Sequence, residues 1–186
     1  MNEEKRCSEC GGKLPGDAKI ISDPERGNVL CLDGDGDYVD GGNNPVFDSM
    51  DFFTAAAWIK VKAFDKDWQA LFTKGGGIEF ARNGKVPLAG VYGTMDVNDG
   101  KWHHFAEVGD GVKFYVYVDG KLDNSADALG LPKTTNEFPA LIGENAEERG
   151  HYWNGLIDDV RLYSYALSEA EIKALYEANE PPRKQE

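Results

Sequence analysis

The sequence predicts an all-β sandwich of antiparallel strands closed by one short C-terminal helix, and three observations carry that expectation. Asp-Gly and Asn-Gly dipeptides recur at Asp33-Gly34, Asp35-Gly36, Asp40-Gly41, Asn83-Gly84, Asp99-Gly100, Asp110-Gly111, Asp119-Gly120 and Asn154-Gly155. Each suits the positive-φ geometry of a tight hairpin turn. Between them lie short runs of β-branched and aromatic residues spaced by about ten residues, the rhythm of a sandwich or barrel. The composition agrees, with 22 Gly, four Trp, eight Tyr and nine Phe among 186 residues.

Strands are expected over 28–32, 52–62, 69–74, 78–82, 86–92, 102–108, 112–118, 139–143 and 156–164. The hairpin over 102–118 is the most explicit. A turn at Gly109-Asp110-Gly111 pairs residues whose numbers sum to about 220. Trp102, His104, Ala106 and Val108 then share an apolar core face with Val118, Val116, Phe114 and Val112. The opposite face pairs His103 with Tyr117, Phe105 with Tyr115, and Glu107 with Lys113 as an ion pair. This register makes His104 a buried neutral histidine, and His103 an outward one titrating near its ordinary value. Asp119-Gly120 turns the chain again into Lys121 and Leu122. The helix announces itself by a capping box, Ser168 with Glu171 three residues on, and by the stripe Leu167, Ile172, Leu175 and Tyr176. It is expected to pack on the sandwich edge and to end before Pro181-Pro182. The organisation is thus a tail over 1–16, one domain over 17–180 and a loose tail over 181–186.

Charge excludes whole classes of function. Thirty-three acidic against 20 basic residues leave a net charge of −13, which repels phosphate backbones and anionic lipid. Nucleic-acid binding is not expected. Mean hydropathy is −0.52, and no apolar run approaches the roughly 18 residues needed to insert into a bilayer. Three cysteines, Cys7, Cys10 and Cys31, do not make a disulfide framework. The Cys7-Ser8-Glu9-Cys10 pair resembles half of a zinc ribbon without its second half, and tetrahedral zinc wants four ligands. The N-terminal residues have no apolar signal-peptide core. A cytosolic chain and a piece of a longer, multidomain secreted protein are both compatible with that.

Val29-Leu30-Cys31-Leu32-Asp33-Gly34 with Gly36-Asp37-Tyr38-Val39 resembles the opening of a laminin-G-like, concanavalin A-like jelly-roll domain, the lectin/glucanase fold. Thr54-Ala55-Ala56-Ala57-Trp58-Ile59-Lys60 resembles its second core strand, and Leu71-Phe72-Thr73-Lys74-Gly75 the next. Lys101-Trp102-His103-His104-Phe105-Ala106, Tyr117-Val118-Asp119-Gly120 and Gly155-Leu156-Ile157-Asp158-Asp159-Val160-Arg161-Leu162-Tyr163 follow in the right order. The resemblance covers residues 17–177 and implies a concanavalin A-like jelly-roll sandwich of two antiparallel sheets. It also implies an extracellular or cell-surface location. Function is less determined by it, since this fold hosts lectins, adhesion modules and polysaccharide-cleaving enzymes.

The loop Asp33-Gly34-Asp35-Gly36-Asp37-Tyr38-Val39-Asp40 is not an EF-hand. Tyr38 stands where the sixth-position glycine belongs, and Asn44 where the bidentate glutamate belongs. Its clustered carboxylates nevertheless call for a cation or solvent. Asp158 alternates with Leu156, Val160 and Leu162, so a carboxylate there must be paired or metal-bound. By the resemblance, a structural calcium joins Asp33 to Asp158, with Asp37 and Asp159 as further ligands.

Sugar recognition needs aromatic faces beside planar polar groups. The aromatic candidates outside the evident core are Trp68, Tyr92, His103, Tyr115, Tyr117, His151, Tyr152 and Trp153, with Glu79, Arg82 and Lys113 as polar partners. Trp153 is the best single platform by sequence, because it follows His151 and Tyr152 and has no alternating apolar partners. Trp58 and Trp102 are expected in the core. No catalytic residues are expected. The Glu-x-Asp-x-Glu strand of glycosidases of this fold is absent, as are the Arg-x-Glu-x-Arg and Gln-x-His motifs of its lyases. The sequence therefore points to a non-catalytic glycan-binding or adhesion module, with a protein-binding domain of the same fold as the alternative and a polysaccharide-cleaving enzyme third.

Overall fold

In the computed structural model the described residues are 14–48, 50–75, 79–83, 86–88, 91–128 and 134–179. They form two antiparallel sheets packed face to face. The strands are β1 (Lys19–Asp23), β2 (Gly27–Asp33), β3 (Val39–Asp40), β4 (Phe53–Val61), β5 (Trp68–Lys74) and β6 (Glu79–Asn83). After them come β7 (Val86–Leu88), β8 (His103–Gly109), β9 (Lys113–Val118), β10 (Lys121–Asp127), β11 (Ala140–Ile142) and β12 (Asn154–Tyr163). One sheet has seven strands in the order β1-β2-β12-β4-β8-β9-β10, and the other has five in the order β3-β11-β5-β6-β7. All nine expected strands are present. β1 and the two-residue β3 went unread because neither shows an alternation long enough to stand out, and of β10 only its start after the Asp119-Gly120 turn was expected.

The core lies between the sheets. Leu32, Ala55, Ala57, Ile59, Phe105, Val116, Val118 and Ile157 from the larger sheet meet Leu71, Phe72 and Ala140 from the smaller. Alternate residues point the other way. Ala56, Ala106, Val108 and Tyr117 form an outer apolar face, which Leu167, just before helix α1 (Glu169–Asn179), and Ile172 within it cover. The helix therefore lies on the outer face of the larger sheet, towards its β10 edge. Its start is the expected capping box: the Ser168 N–H donates to Glu171 Oε2 at 2.8 Å and the Glu171 N–H donates to Ser168 Oγ at 3.4 Å. At the other end Tyr176 stacks on Trp58 with ring centroids 5.6 Å apart. A Cβ on Gly120 would sit 3.0 Å from the Tyr176 Cβ.

The β8–β9 hairpin corrects the expected register. Phe105 pairs with Val118, Glu107 with Val116, and Gly109 with Phe114, so the pair numbers sum to 223 and not 220. The cause is the loop. Asp110 Oδ1 accepts the N–H groups of Val112 and Lys113 at 2.9 and 2.6 Å, and the Asp110 N–H donates to the Lys113 carbonyl. Four residues, 110–113, are thereby outside the ladder. An odd slip moves one arm to the other face: Phe105 is core, while His104, Ala106 and Val108 face the helix side with Tyr115 and Tyr117. Glu107 is buried, and Lys113 pairs with Asp127 instead.

Strand β12 holds two further corrections. Asn154-Gly155 is not a turn but the start of the strand. Gly155 is required there by crowding, since a Cβ would lie 2.4 Å from the Lys60 carbonyl oxygen. Further on, the register with β4 shifts between Asp158 and Arg161, and Asp159 takes a positive φ of 49°. This bulge resets the alternation. Leu156 and Asp158 face the outside, whereas Val160 and Leu162 pack on the core.

Candidate functional site

Three loops meet beside the start of β5. The segment before β12 runs alongside that strand: the Ala70 N–H donates to the His151 carbonyl at 2.8 Å, and the Trp153 N–H to the Gly143 carbonyl at 2.9 Å. The intervening loop is held by two buried side chains. Glu144 Oε1 accepts the N–H groups of Asn145 and His151 at 2.8 and 2.9 Å, and its Oε2 accepts that of Gly150 at 3.1 Å. Asn145 Oδ1 accepts the N–H groups of Glu147 and Glu148. The β4–β5 connection is tied to the same end. Asp65 accepts Gln69 Nε2 at 2.8 Å and Asn154 Nδ2 at 2.9 Å, and Lys66 Nζ donates to the Gly34 carbonyl.

This framework carries four half-buried rings, Tyr38, Trp68, His151 and Tyr152. His151 stacks on Trp68 with centroids 6.2 Å apart and planes inclined by 24°. The exposed Arg149 guanidinium lies 5.1 Å from the centroid of Tyr38. Burial, together with the nearby Glu144 carboxylate, pushes the Tyr152 phenol above its ordinary pKa. The arrangement offers flat apolar faces for C–H contacts, flanked by guanidinium, phenol and imidazole hydrogen-bonding groups. Asn154 adds a buried Oδ1 with no hydrogen-bond partner among the described residues.

The sugar candidates read from sequence do not form one site. His151, Tyr152 and Trp68 come together. Tyr92 is 52% exposed and sits by the β10 edge, where Asn124 Nδ2 donates to its carbonyl at 2.8 Å. The Tyr115 hydroxyl donates to Asp110 Oδ2, and Tyr117 is buried among the residues under the helix. His103 does not titrate freely: the Asp119 carboxylate, against some burial, and the Asp99 carboxylate push its pKa up. The expectation of Trp153 as an exposed platform is overturned, because it is 0% exposed and belongs to the inter-sheet core. Its N–H donates to the Gly143 carbonyl at 2.9 Å, which holds the ring in the core, and a run of three residues ahead of the strand carries no alternation long enough to show this in sequence. His104 is buried as expected, and that burial lowers its pKa to about 4. Glu79 and Arg82 lie on β6, with side chains outside the described atoms. Tyr38, Arg149 and Glu144 were not singled out as sugar contacts in sequence, since only loop closure brings Arg149 over Tyr38 and Glu144 to the His151 backbone.

The expected joining of Asp33 to Asp158 does not occur. Arg26 Nε donates to Asp158 Oδ2 at 2.7 Å, and Asp159 pairs with Arg161 at 2.8 Å. The acidic cluster that does form is Asp17, Asp33 and Asp37, each offering an oxygen within 4.8 Å of the others. Asp37 is buried; its Oδ1 accepts the Asp17 N–H and its Oδ2 the Asp33 N–H. Burial, with the Asp33 carboxylate alongside, pushes its pKa up. Oxygens at this spacing fit a calcium ion with bonds of about 2.4 Å, and they supply three of its usual six to eight ligands.

Among the described residues no helix is long and apolar enough to cross a membrane. No curated protein matches the chain. Among solved structures, it is similar to domain 4 of the extracellular GH43 arabinanase AbnA of Geobacillus stearothermophilus, determined in complex with arabinotriose. The TM-score is 0.69 at 19% identity, over 87% of this chain and 82% of that one. It is also similar to the binding domain of Paraclostridial Mosquitocidal Protein 1, with a TM-score of 0.72 at 14% identity over 96% of this chain and 50% of that one. The binding domain of botulinum neurotoxin DC, determined with rat synaptotagmin II, gives a TM-score of 0.64 at 12% identity over 91% of this chain and 48% of that one. The chain thus spans about half the length of those two toxin binding domains. The family described as the concanavalin A-like lectin/glucanases superfamily matches residues 33–173. With that match over most of its length and the two-sheet sandwich behind it, the chain belongs to the concanavalin A-like lectin/glucanases superfamily.

Proposed function

We propose that this protein is a non-catalytic, extracellular glycan-binding module, and that the surface formed by Trp68, His151, Tyr152, Tyr38 and Arg149 contacts the sugar. The observation that carries the reading is the Trp68–His151 stack, held beside Tyr152 by a loop whose backbone is fixed on Glu144. Such a preorganised aromatic surface lowers the ordering cost of binding. Glu144 accepts three backbone N–H groups, which is a structural duty and not the geometry of a general acid. The similarity to an arabinanase domain determined with arabinotriose, and to a neurotoxin described as interacting with two ganglioside molecules, supports a saccharide as ligand. The calcium reading rests on Asp17, Asp33 and Asp37; bound there, the ion would stabilise the β2–β3 loop.

The test is a glycan array followed by titration calorimetry, with arabino-oligosaccharides in the first panel. Trp68→Ala and Tyr152→Ala are expected to weaken the best binder by about 1–3 kcal/mol each. An array without binders overturns the glycan reading. Binding unchanged in both variants overturns the surface while keeping the module.

A further inference from the structure

We infer that His103, held as an imidazolium between Asp99 and Asp119, is a pH-operated clasp that fastens the segment leading into β8 onto the β9–β10 turn. The His103 Nδ1 lies 2.9 Å from Asp119 Oδ2 and its Nε2 lies 3.0 Å from Asp99 Oδ1. A neutral imidazole carries one N–H, and an ionised carboxylate only accepts. Either neutral tautomer therefore sets a ring lone pair against a carboxylate oxygen at about 3 Å, and only the doubly protonated ring satisfies both contacts. The ring is also enclosed, with 12% of its side chain exposed, so water does not readily take over either bond.

The two partners differ in freedom. Asp119 is fixed: its Oδ1 accepts the His104 N–H at 2.9 Å and its own N–H donates to the His104 carbonyl at 2.8 Å. Asp99 sits in a surface turn, where its Oδ1 also accepts the Lys101 N–H and its Oδ2 pairs with Lys101 Nζ at 2.9 Å. Lys101 is the cation facing the clasp, and its side chain is 78% exposed. Loss of the His103 proton thus releases the Asp99 side. The same segment is fastened a second time upstream, where Asp123 Oδ2 accepts the Thr94 N–H at 2.7 Å and that of Met95 at 3.3 Å. Opening is therefore confined to the Asp99–Lys101 turn. In agreement, the hydrogen bond to Asp119, against some burial, and that to Asp99 push the His103 pKa up. Hydrogen bonds from Lys101 and His103 outweigh burial to hold the Asp99 carboxyl well below the usual range.

NMR of the ring nitrogens in the full chain, with amide exchange at Gly100 and Lys101, tests the clasp. The expected result is a His103 midpoint above the ordinary histidine value, a lower midpoint in Asp99→Asn, and at least a tenfold loss of Lys101 amide protection once His103 is deprotonated. Asp99→Asn should show no such step in protection, because its clasp is already weakened. A His103 midpoint at or below the ordinary value, or one that Asp99→Asn leaves in place, overturns the proposal, as does amide protection without a step at the midpoint.

Discussion

Arg26 and Asp158 form a nearly enclosed ion pair on the outer face of the larger sheet, with Nε 2.7 Å from Oδ2 and only 7% of the arginine side chain exposed. The guanidinium also lies 4.2 Å from the Trp58 ring centroid and 5.5 Å from that of Trp102. Trp102 Nε1 in turn donates to Asp23 Oδ1 at 3.2 Å. A carboxylate that looked costly in sequence is thus satisfied by a residue 132 positions away. Arg26→Ala removes the partner and the stacked plane together, and should cost about 3–5 kcal/mol. Denaturant unfolding measures it. A loss under 1 kcal/mol would mean that Asp158 finds water or Arg161 instead.

The tryptophans separate stability from binding. Trp153→Ala empties a fully buried core position and should destabilise the fold by about 3–5 kcal/mol. Trp68→Ala, at a half-buried surface position, should cost about 1 kcal/mol of stability while weakening sugar binding by about 1–3 kcal/mol. Melting curves and calorimetry on the two variants decide the assignment, and a mild Trp153→Ala would put that ring back at the surface.

The adjacent histidines respond to pH with opposite signs. His104 has a folded pKa of about 4 against an ordinary 6.5. Its contribution is present above 6.5 and is lost as pH falls from there towards 4, because the unfolded chain takes up the proton first. Between pH 7 and pH 5 that loss is about 2 kcal/mol. His103, with its pKa raised, adds stability that is complete below the ordinary value and disappears as pH rises through its folded midpoint. Stability measured against pH in His104→Leu should lack the acid-side slope and keep the alkaline one. An unchanged acid-side slope would place His104 in contact with solvent.

Calcium has a direct readout. If Asp17, Asp33 and Asp37 hold the ion, the melting midpoint rises with free calcium, by about 2.7 kcal/mol of stability at a hundredfold excess over the dissociation constant. Asp37→Asn should abolish the response and Asp158→Asn should leave it unchanged. Equal midpoints in calcium and in chelator would remove the ion from this protein.

The elements themselves were legible. Strand runs bounded by Asp-Gly turns, and Ser168 with Glu171 ahead of an apolar stripe, are local signals, and local hydrogen bonding enforces them. Legibility failed wherever a single residue of register mattered. The Asp110 side chain lengthened the β8–β9 loop and exchanged the faces of one arm. The bulge at Asp159 did the same within β12 and separated Asp158 from the alternation of Val160 and Leu162. The first hinges on the hydrogen bonds of one side chain and the second on one backbone angle, which residue periodicity does not encode.

By itself, then, the sequence determined the fold class, most of the strands, the helix and its cap, and the burial of Trp58, Trp102 and His104, though not the face of the sheet on which they lie. Those properties follow from composition, turn chemistry and short-range alternation. Only the tertiary structure decided which rings meet in space. Trp68 and His151 are 83 positions apart in the chain and stack because β5 lies beside the segment entering β12. Arg26 reaches Asp158, and His103 bridges Asp99 to Asp119, for the same reason. Long-range pairing chooses such partners by packing complementarity across the sheets, and a linear pattern carries no record of that choice.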